Sequence, residues 1–175
     1  MIKKWYHPSK PGELQAIPWL APKVIAYLEK LMQPDWEIIE HGSGGSTLWF
    51  AERVRWVAAY EGNSEWREVV KGKLDGRDNF YLYTYPPIPS LHKGFDLLLI
   101  DGEPVEHRRR WIQAAPQIVK PGGWVVLDNA NRPEYAKERK HLQTHATEIA
   151  TFECNEGGTE YLVTEFYKMP EKGSE

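Results

Sequence analysis

Four acids close short apolar runs in this chain: Glu40, Glu61, Asp101 and Asp128. Directly after the first comes His41-Gly42-Ser43-Gly44-Gly45-Ser46-Thr47, where glycines let the backbone turn sharply and approach a ligand at points where a Cβ would clash. Carboxylates gathered around one ligand can accept hydrogen bonds from sugar hydroxyls, balance a cation or move a proton. A glycine turn followed about 20 residues later by an acid is how dinucleotide sites hold a ribose, and Glu61 meets that spacing after Gly42 and Gly44. Asp101, Asp128 and Asn129 are hard oxygen donors of the kind that hold Mg2+, provided their strands are neighbours. Of the histidines, His41 beside the glycine turn and His107 after Asp101 are placed to act as a base near neutral pH. Any one of these acids could merely cap the following helix. Four at equivalent points favour a site.

The elements that must position them alternate between strand and helix. Leu20, Val24, Ile25, Leu28 and Leu31 recur at helical spacing, so a helix is expected over 17–32, with Pro18 in its first turn and Pro34 beyond its end. Residues 36–40 then read as a strand, the glycine turn follows, and Leu48, Phe50 and Ala51 begin another helix. Strands are expected over 54–61, 80–85, 95–101 and 124–128, and helices over 64–74, 106–119 and 133–144. Residues 95–101 are nearly all apolar, as in a parallel strand covered on both faces. Residues 148–153 and 161–168 flank Asn155-Glu156-Gly157-Gly158 and read as a closing antiparallel hairpin, followed by a fraying tail after Met169. Such βα units imply an α/β fold with a doubly wound, mostly parallel sheet, whose ligands bind outside the carboxyl ends of the strands.

Composition narrows the possibilities. With 175 residues, 41% hydrophobic and 27% charged, the chain is expected to form one domain over 1–175 with an ordinary core. A net charge of −3 gives no basic field to draw it onto phosphate backbones, so nucleic acid is not the expected partner. Cys154 is the only cysteine, which excludes an internal disulfide and a multi-thiolate metal site and fits a reducing cytoplasm. No stretch approaches the roughly 18 apolar residues of a membrane span, and neither secretion nor membrane attachment is expected.

The segment Ile38-Ile39-Glu40-His41-Gly42-Ser43-Gly44-Gly45-Ser46-Thr47 resembles the E/D-x-G-x-G-x-G motif of the class I S-adenosylmethionine-dependent methyltransferases. The likeness extends to Glu61 after the second strand, to 95–101 as the fourth, and to Lys120-Pro121-Gly122-Gly123 leading into the fifth, so it covers nearly the whole chain. Ser46 stands where the family often has a third glycine. The resemblance implies a seven-stranded sheet in the order 3-2-1-4-5-7-6 and S-adenosylmethionine as cofactor. It implies that Glu40, Gly42, Ser43, Gly44 and Gly45 hold the methionine end, that Glu61 takes both ribose hydroxyls, and that Asp101 faces the sulfonium.

The same comparison narrows the acceptor. Amino-methylating DNA enzymes carry N/D-P-P-Y/F after the fourth strand, where this chain reads Asp101-Gly102-Glu103-Pro104, and Cys154 does not follow proline as a cytosine-methylating nucleophile would. The run Arg108-Arg109-Arg110 reads as a solvated helix face. The expected activity is therefore methyl transfer to an oxygen or nitrogen of a small molecule by in-line displacement, with Asp101 and His107 as the candidate catalytic residues. Catechol-type O-methyltransferases show a similar Asp and Asp-Asn set around Mg2+, although Pro104 stands where they place a lysine. Two alternatives remain: a noncatalytic module that binds S-adenosylmethionine or S-adenosylhomocysteine, and a nicotinamide-dependent oxidoreductase.

Overall fold

Apolar runs without polar alternation need cover on both faces, and here they supply the inner strands of one sheet. The structure is a computed structural model and describes residues 11–84, 93–156 and 160–173. Its seven strands are β1 (Glu37–His41), β2 (Trp56–Tyr60), β3 (Phe80–Tyr83), β4 (Phe95–Ile100), β5 (Val119–Leu127), β6 (Glu148–Glu156) and β7 (Glu160–Lys168). They form a single sheet in the order β3-β2-β1-β4-β5-β7-β6, the order that the family resemblance implies. The chain divides into two compact units at residues 87 and 88.

In the first unit, β1 pairs parallel with β2, and β2 with β3. The unit also contains helices α1 (Pro22–Leu31), α2 (Gly45–Ala51) and α3 (Ser64–Lys73). The helix expected from residue 17 begins at Pro22 instead. A residue before proline is pushed out of the helical region, and Ala21 accordingly sits at φ −55° and ψ 141°, so Pro22 becomes the first position able to start the helix. The preceding stretch has another partner. A Cβ on Gly45 would lie 2.0 Å from the Ile17 carbonyl oxygen and 3.0 Å from that of Gln15, so this backbone packs directly on the start of α2. Helix α2 is short and buried almost all round, through Thr47, Leu48, Trp49, Phe50 and Ala51. The third strand, expected to reach Tyr85, is described to Tyr83, and residue 85 lies outside the described residues.

In the second unit, β4 and β5 run parallel, and β7 is antiparallel to both β5 and β6. Strand β5 starts at Val119, five residues before the expected Trp124. Its register shifts between Phe95 and Leu97 of β4, around the Pro121-Gly122-Gly123 segment. Gly122 has φ 75°, and a Cβ on Gly123 would meet Val119 at 2.5 Å and the Asp96 carbonyl at 2.8 Å, which explains the glycine pair. Helix α4 (Val105–Ile118) buries Trp111, Ile112, Ala115 and Ile118. The helix expected from Pro133 opens as a 3-10 turn, Pro133–Tyr135, and continues as α5 (Ala136–His145). The closing hairpin is present, with residues 157–159 outside the described ones.

Gly45→Ala is expected to lower the unfolding free energy by about 1 to 3 kcal/mol or more, because the added methyl meets rigid backbone. Gly72→Ala in α3, where nothing lies within 4 Å, should instead raise it by up to about 1 kcal/mol. Urea denaturation of both variants checks the contrast, and equal effects would mean that the Gln15–Ile17 backbone does not lie against Gly45.

Candidate functional site

In the first unit the chain leaves β1 through Gly42, whose φ of 109° a residue with a Cβ rarely adopts and whose N–H donates to the Tyr60 carbonyl at 2.9 Å. The turn brings Ser43 beside Glu61, the residue after β2. The Ser43 hydroxyl donates to one carboxylate oxygen of Glu61 at 3.1 Å, and the Asn63 N–H donates to the other at 2.8 Å. Asn63 also caps α3 by accepting the Trp66 N–H at 3.0 Å, and the Trp66 indole N–H donates to the Ser43 carbonyl at 2.9 Å. Glu61 is half-buried. A carboxylate has about four acceptor directions. Ser43 and Asn63 take one on each oxygen, so two neighbouring hydroxyls can be received, one per oxygen.

Glu40 occupies a different setting. It is 1% exposed, and its oxygens accept the Thr47 hydroxyl, in a very short contact, and the Ser46 hydroxyl at 2.8 Å. Thr47 in turn accepts the Gly44 N–H at 2.9 Å, so a buried carboxylate fixes the first turn of α2. Burial pushes Glu40 up to about 7; the Thr47 and Ser46 hydroxyls pull it partly back, and the charge of Glu61 adds to the rise. His41, the last residue of β1, is fully buried.

In the second unit Asp101 follows β4 and keeps a side chain 30% exposed, while Asp128 and Asn129 after β5 are buried. Asp128 accepts the Thr164 hydroxyl at 2.6 Å; burial raises its carboxyl, while Thr164 and then Arg108 oppose the rise. Asn129 is left-handed at φ 52°, a conformation asparagine tolerates better than most residues. Arg108, 1% exposed, is directed at this corner. Its N–H groups donate to the carbonyls of Gly102 at 3.1 Å, of Asp128 at 2.9 Å and, in a short contact, of Asp101, and they face the Asn129 side-chain oxygen at 3.4 Å. The Asp101 carboxylate stands 3.6 Å away.

The Mg2+ expectation at Asp101, Asp128 and Asn129 is not supported. A guanidinium already faces two of the three donors, the Asp128 side chain is engaged by Thr164, and among the described residues no three His, Cys, Asp or Glu side chains converge to hold a metal. The solvated-face expectation fails for Arg108 as well: Arg109 and Arg110 are exposed, but Arg108 is not. The spacing held the signal, because positions 108, 111, 112 and 115 form one helical stripe and the other three are apolar. His107 is half-buried at the first turn of α4.

No family model matches the sequence, and no curated protein matches it. Solved structures do match the fold. A precorrin 8W decarboxylase from Methanobacterium thermoautotrophicum superposes with a TM-score of 0.65 at 23% identity, over 85% of this chain and 90% of that one. A SAM-dependent O-methyltransferase from Thermotoga maritima gives 0.65 at 18%, over 89% and 68%, and an rRNA methylase from Streptococcus thermophilus gives 0.68 at 12%, over 84% and 95%. The fold is that of the class I S-adenosylmethionine-dependent methyltransferases. Within that class I frame Glu40 and Glu61 stand at the ends of the first two strands, as the motif required, yet one is interior and the other open to solvent.

Because the folded-state value of Glu40 lies above its ordinary 4.5, the folded protein binds more protons than the unfolded chain between about 4.5 and 7, and stability falls as pH rises through that window. The expected penalty above pH 7 is on the order of 3 kcal/mol. Glu40→Gln, which keeps an acceptor for Thr47, should therefore be more stable than wild type at pH 8 and nearly equal to it at pH 4.5. Denaturation curves at the two pH values check this, and a pH-independent difference would contradict it.

Proposed function

We propose that this chain is an S-adenosylmethionine-dependent methyltransferase acting on an oxygen or nitrogen of a small molecule. The observation that carries this assignment is Glu61: a half-buried carboxylate beside the glycine turn, anchored by Ser43 and Asn63 with one acceptor direction left on each oxygen. That is the acceptor pattern a ribose cis-diol requires. When bound, the cofactor supplies a methyl group on a sulfonium, electrophilic enough that no covalent enzyme intermediate is needed.

The chain's own work is then mainly to position. Glu61 orients the sugar, and Gly42, Ser43, Gly44 and Gly45 bring backbone close to the methionine end. Glu40 acts from below by keeping the first turn of α2 in place. Holding an acceptor and a methyl group in line is worth on the order of 7 to 11 kcal/mol. Asp101, whose carboxylate is partly exposed, and His107 are our candidates for taking the acceptor's proton. A small-molecule acceptor accords with the chain's negative net charge of −3, and the 175 residues are taken to work as one domain in a reducing cytoplasm.

S-adenosylhomocysteine at about 100 times its dissociation constant should stabilise the protein by about 2.7 kcal/mol and raise its melting temperature by roughly 5 to 10 °C, whereas a nicotinamide dinucleotide should not. No shift with millimolar ligand would reject the assignment. Glu61→Ala should weaken binding by about 1.5 to 3 kcal/mol while the unliganded melting temperature barely moves. Calorimetry that finds the affinity unchanged would put the sugar elsewhere.

A further inference from the structure

We propose that Trp66 is a positioning residue for the cofactor, acting through Ser43 on Glu61. The proposal rests on the cofactor assignment above and adds a residue that the glycine motif does not contain. Trp66 lies in the first turn of α3, 23 residues after Ser43, and its indole N–H reaches the Ser43 carbonyl at 2.9 Å. The same serine's hydroxyl donates to Glu61 at 3.1 Å. The glycines on either side of Ser43 are each tied by their N–H, Gly42 to the Tyr60 carbonyl and Gly44 to the Thr47 hydroxyl, and the indole adds a hold on the carbonyl of Ser43 itself. With its carbonyl held, Ser43 presents its hydroxyl to one oxygen of Glu61, while Asn63, whose side chain caps α3 at the Trp66 N–H, presents its own N–H to the other.

Glu61 is thus gripped by two donors that both trace to the first turn of α3, and its remaining acceptor directions are fixed before a ligand arrives. Preorganisation of this kind contributes to affinity by removing an ordering cost at binding. The Trp66 ring is itself held. It is half-buried, the Trp19 ring lies 5.8 Å from it at a 45° tilt, and a Cβ on Gly44 would lie 4.0 Å from its edge, an ordinary van der Waals contact. Phenylalanine at 66 keeps an aromatic ring there and removes the N–H, together with part of the indole's contact area.

The test is a double-mutant cycle read by calorimetry with S-adenosylhomocysteine. Trp66→Phe should weaken binding roughly threefold to tenfold, the range one lost hydrogen bond covers, and Ser43→Ala should do the same by removing the hydroxyl directly. If Trp66 acts through Glu61, the Trp66→Phe penalty should shrink to less than about twofold in a Glu61→Ala background. A purely structural tryptophan would give the same penalty in both backgrounds, and that result overturns the proposal, as does wild-type affinity in Trp66→Phe. If the wild-type protein itself fails to bind S-adenosylhomocysteine, the cofactor assignment falls and this role falls with it. Binding by wild type with no coupling between the two sites removes Trp66 alone.

Discussion

A carboxylate buried beneath a helix is the constraint from which the first unit follows. Glu40 lies near the end of an inner strand with 1% of its surface exposed, and the hydroxyls of Thr47 and Ser46 from the first turn of α2 reach it there. To bring those hydroxyls over the strand end, the chain must reverse within the few residues between them, which requires Gly42 in a left-handed conformation and α2 starting at once after Gly44. Once α2 is pressed against the strand this closely, Gly45 has no room for a side chain, since Gln15–Ile17 fills the space. An ionised group held in so dry a place opposes folding near neutral pH.

The two units treat their acids by one principle. In each, one acid is buried against hydroxyl donors and a second stays accessible. Glu40 is paired with Thr47 and Ser46, and Glu61 faces solvent; Asp128 is paired with Thr164, and Asp101 keeps part of its carboxylate outside. The buried members shape the corners. Glu61 keeps acceptor capacity for something else, while the Asp101 side chain is hydrogen-bonded to Asp128. The second unit adds a guanidinium, Arg108, set among the carbonyls of Gly102 and Asp128. Its fork suits several carbonyls at once, as a lysine's point charge would not. Tyr135 completes this corner by donating its hydroxyl to the Asn129 carbonyl.

Much of the architecture was legible in the sequence because its causes are local. Unbroken apolar runs marked β4 and β5, the glycines marked the turn after β1, and Pro-Gly-Gly marked the approach to β5. The positions of Glu40, Glu61, Asp101 and Asp128 at or just after strand ends followed from those patterns, and so did the expectation of a ribose-binding acid. Helix α1 starts at Pro22 and not at the expected residue 17, because Pro22 holds Ala21 out of the helical region.

What the tertiary structure alone decided is which of these groups meet. Strand periodicity assigns an acid to a strand end, but whether that acid is interior or open depends on what the next helix lays over it, and helix placement is a matter of packing rather than of spacing. Glu40 and Glu61 look alike in the sequence and differ in the fold. Arg108 sits in a basic run that reads as solvated, yet it lies on the helix stripe of Trp111, Ile112 and Ala115 and is carried inward by their burial, where carbonyls replace its water. Trp66 joins Ser43 across 23 residues. Contacts at that separation leave no periodic trace, since they depend on how α3 packs beside the glycine turn.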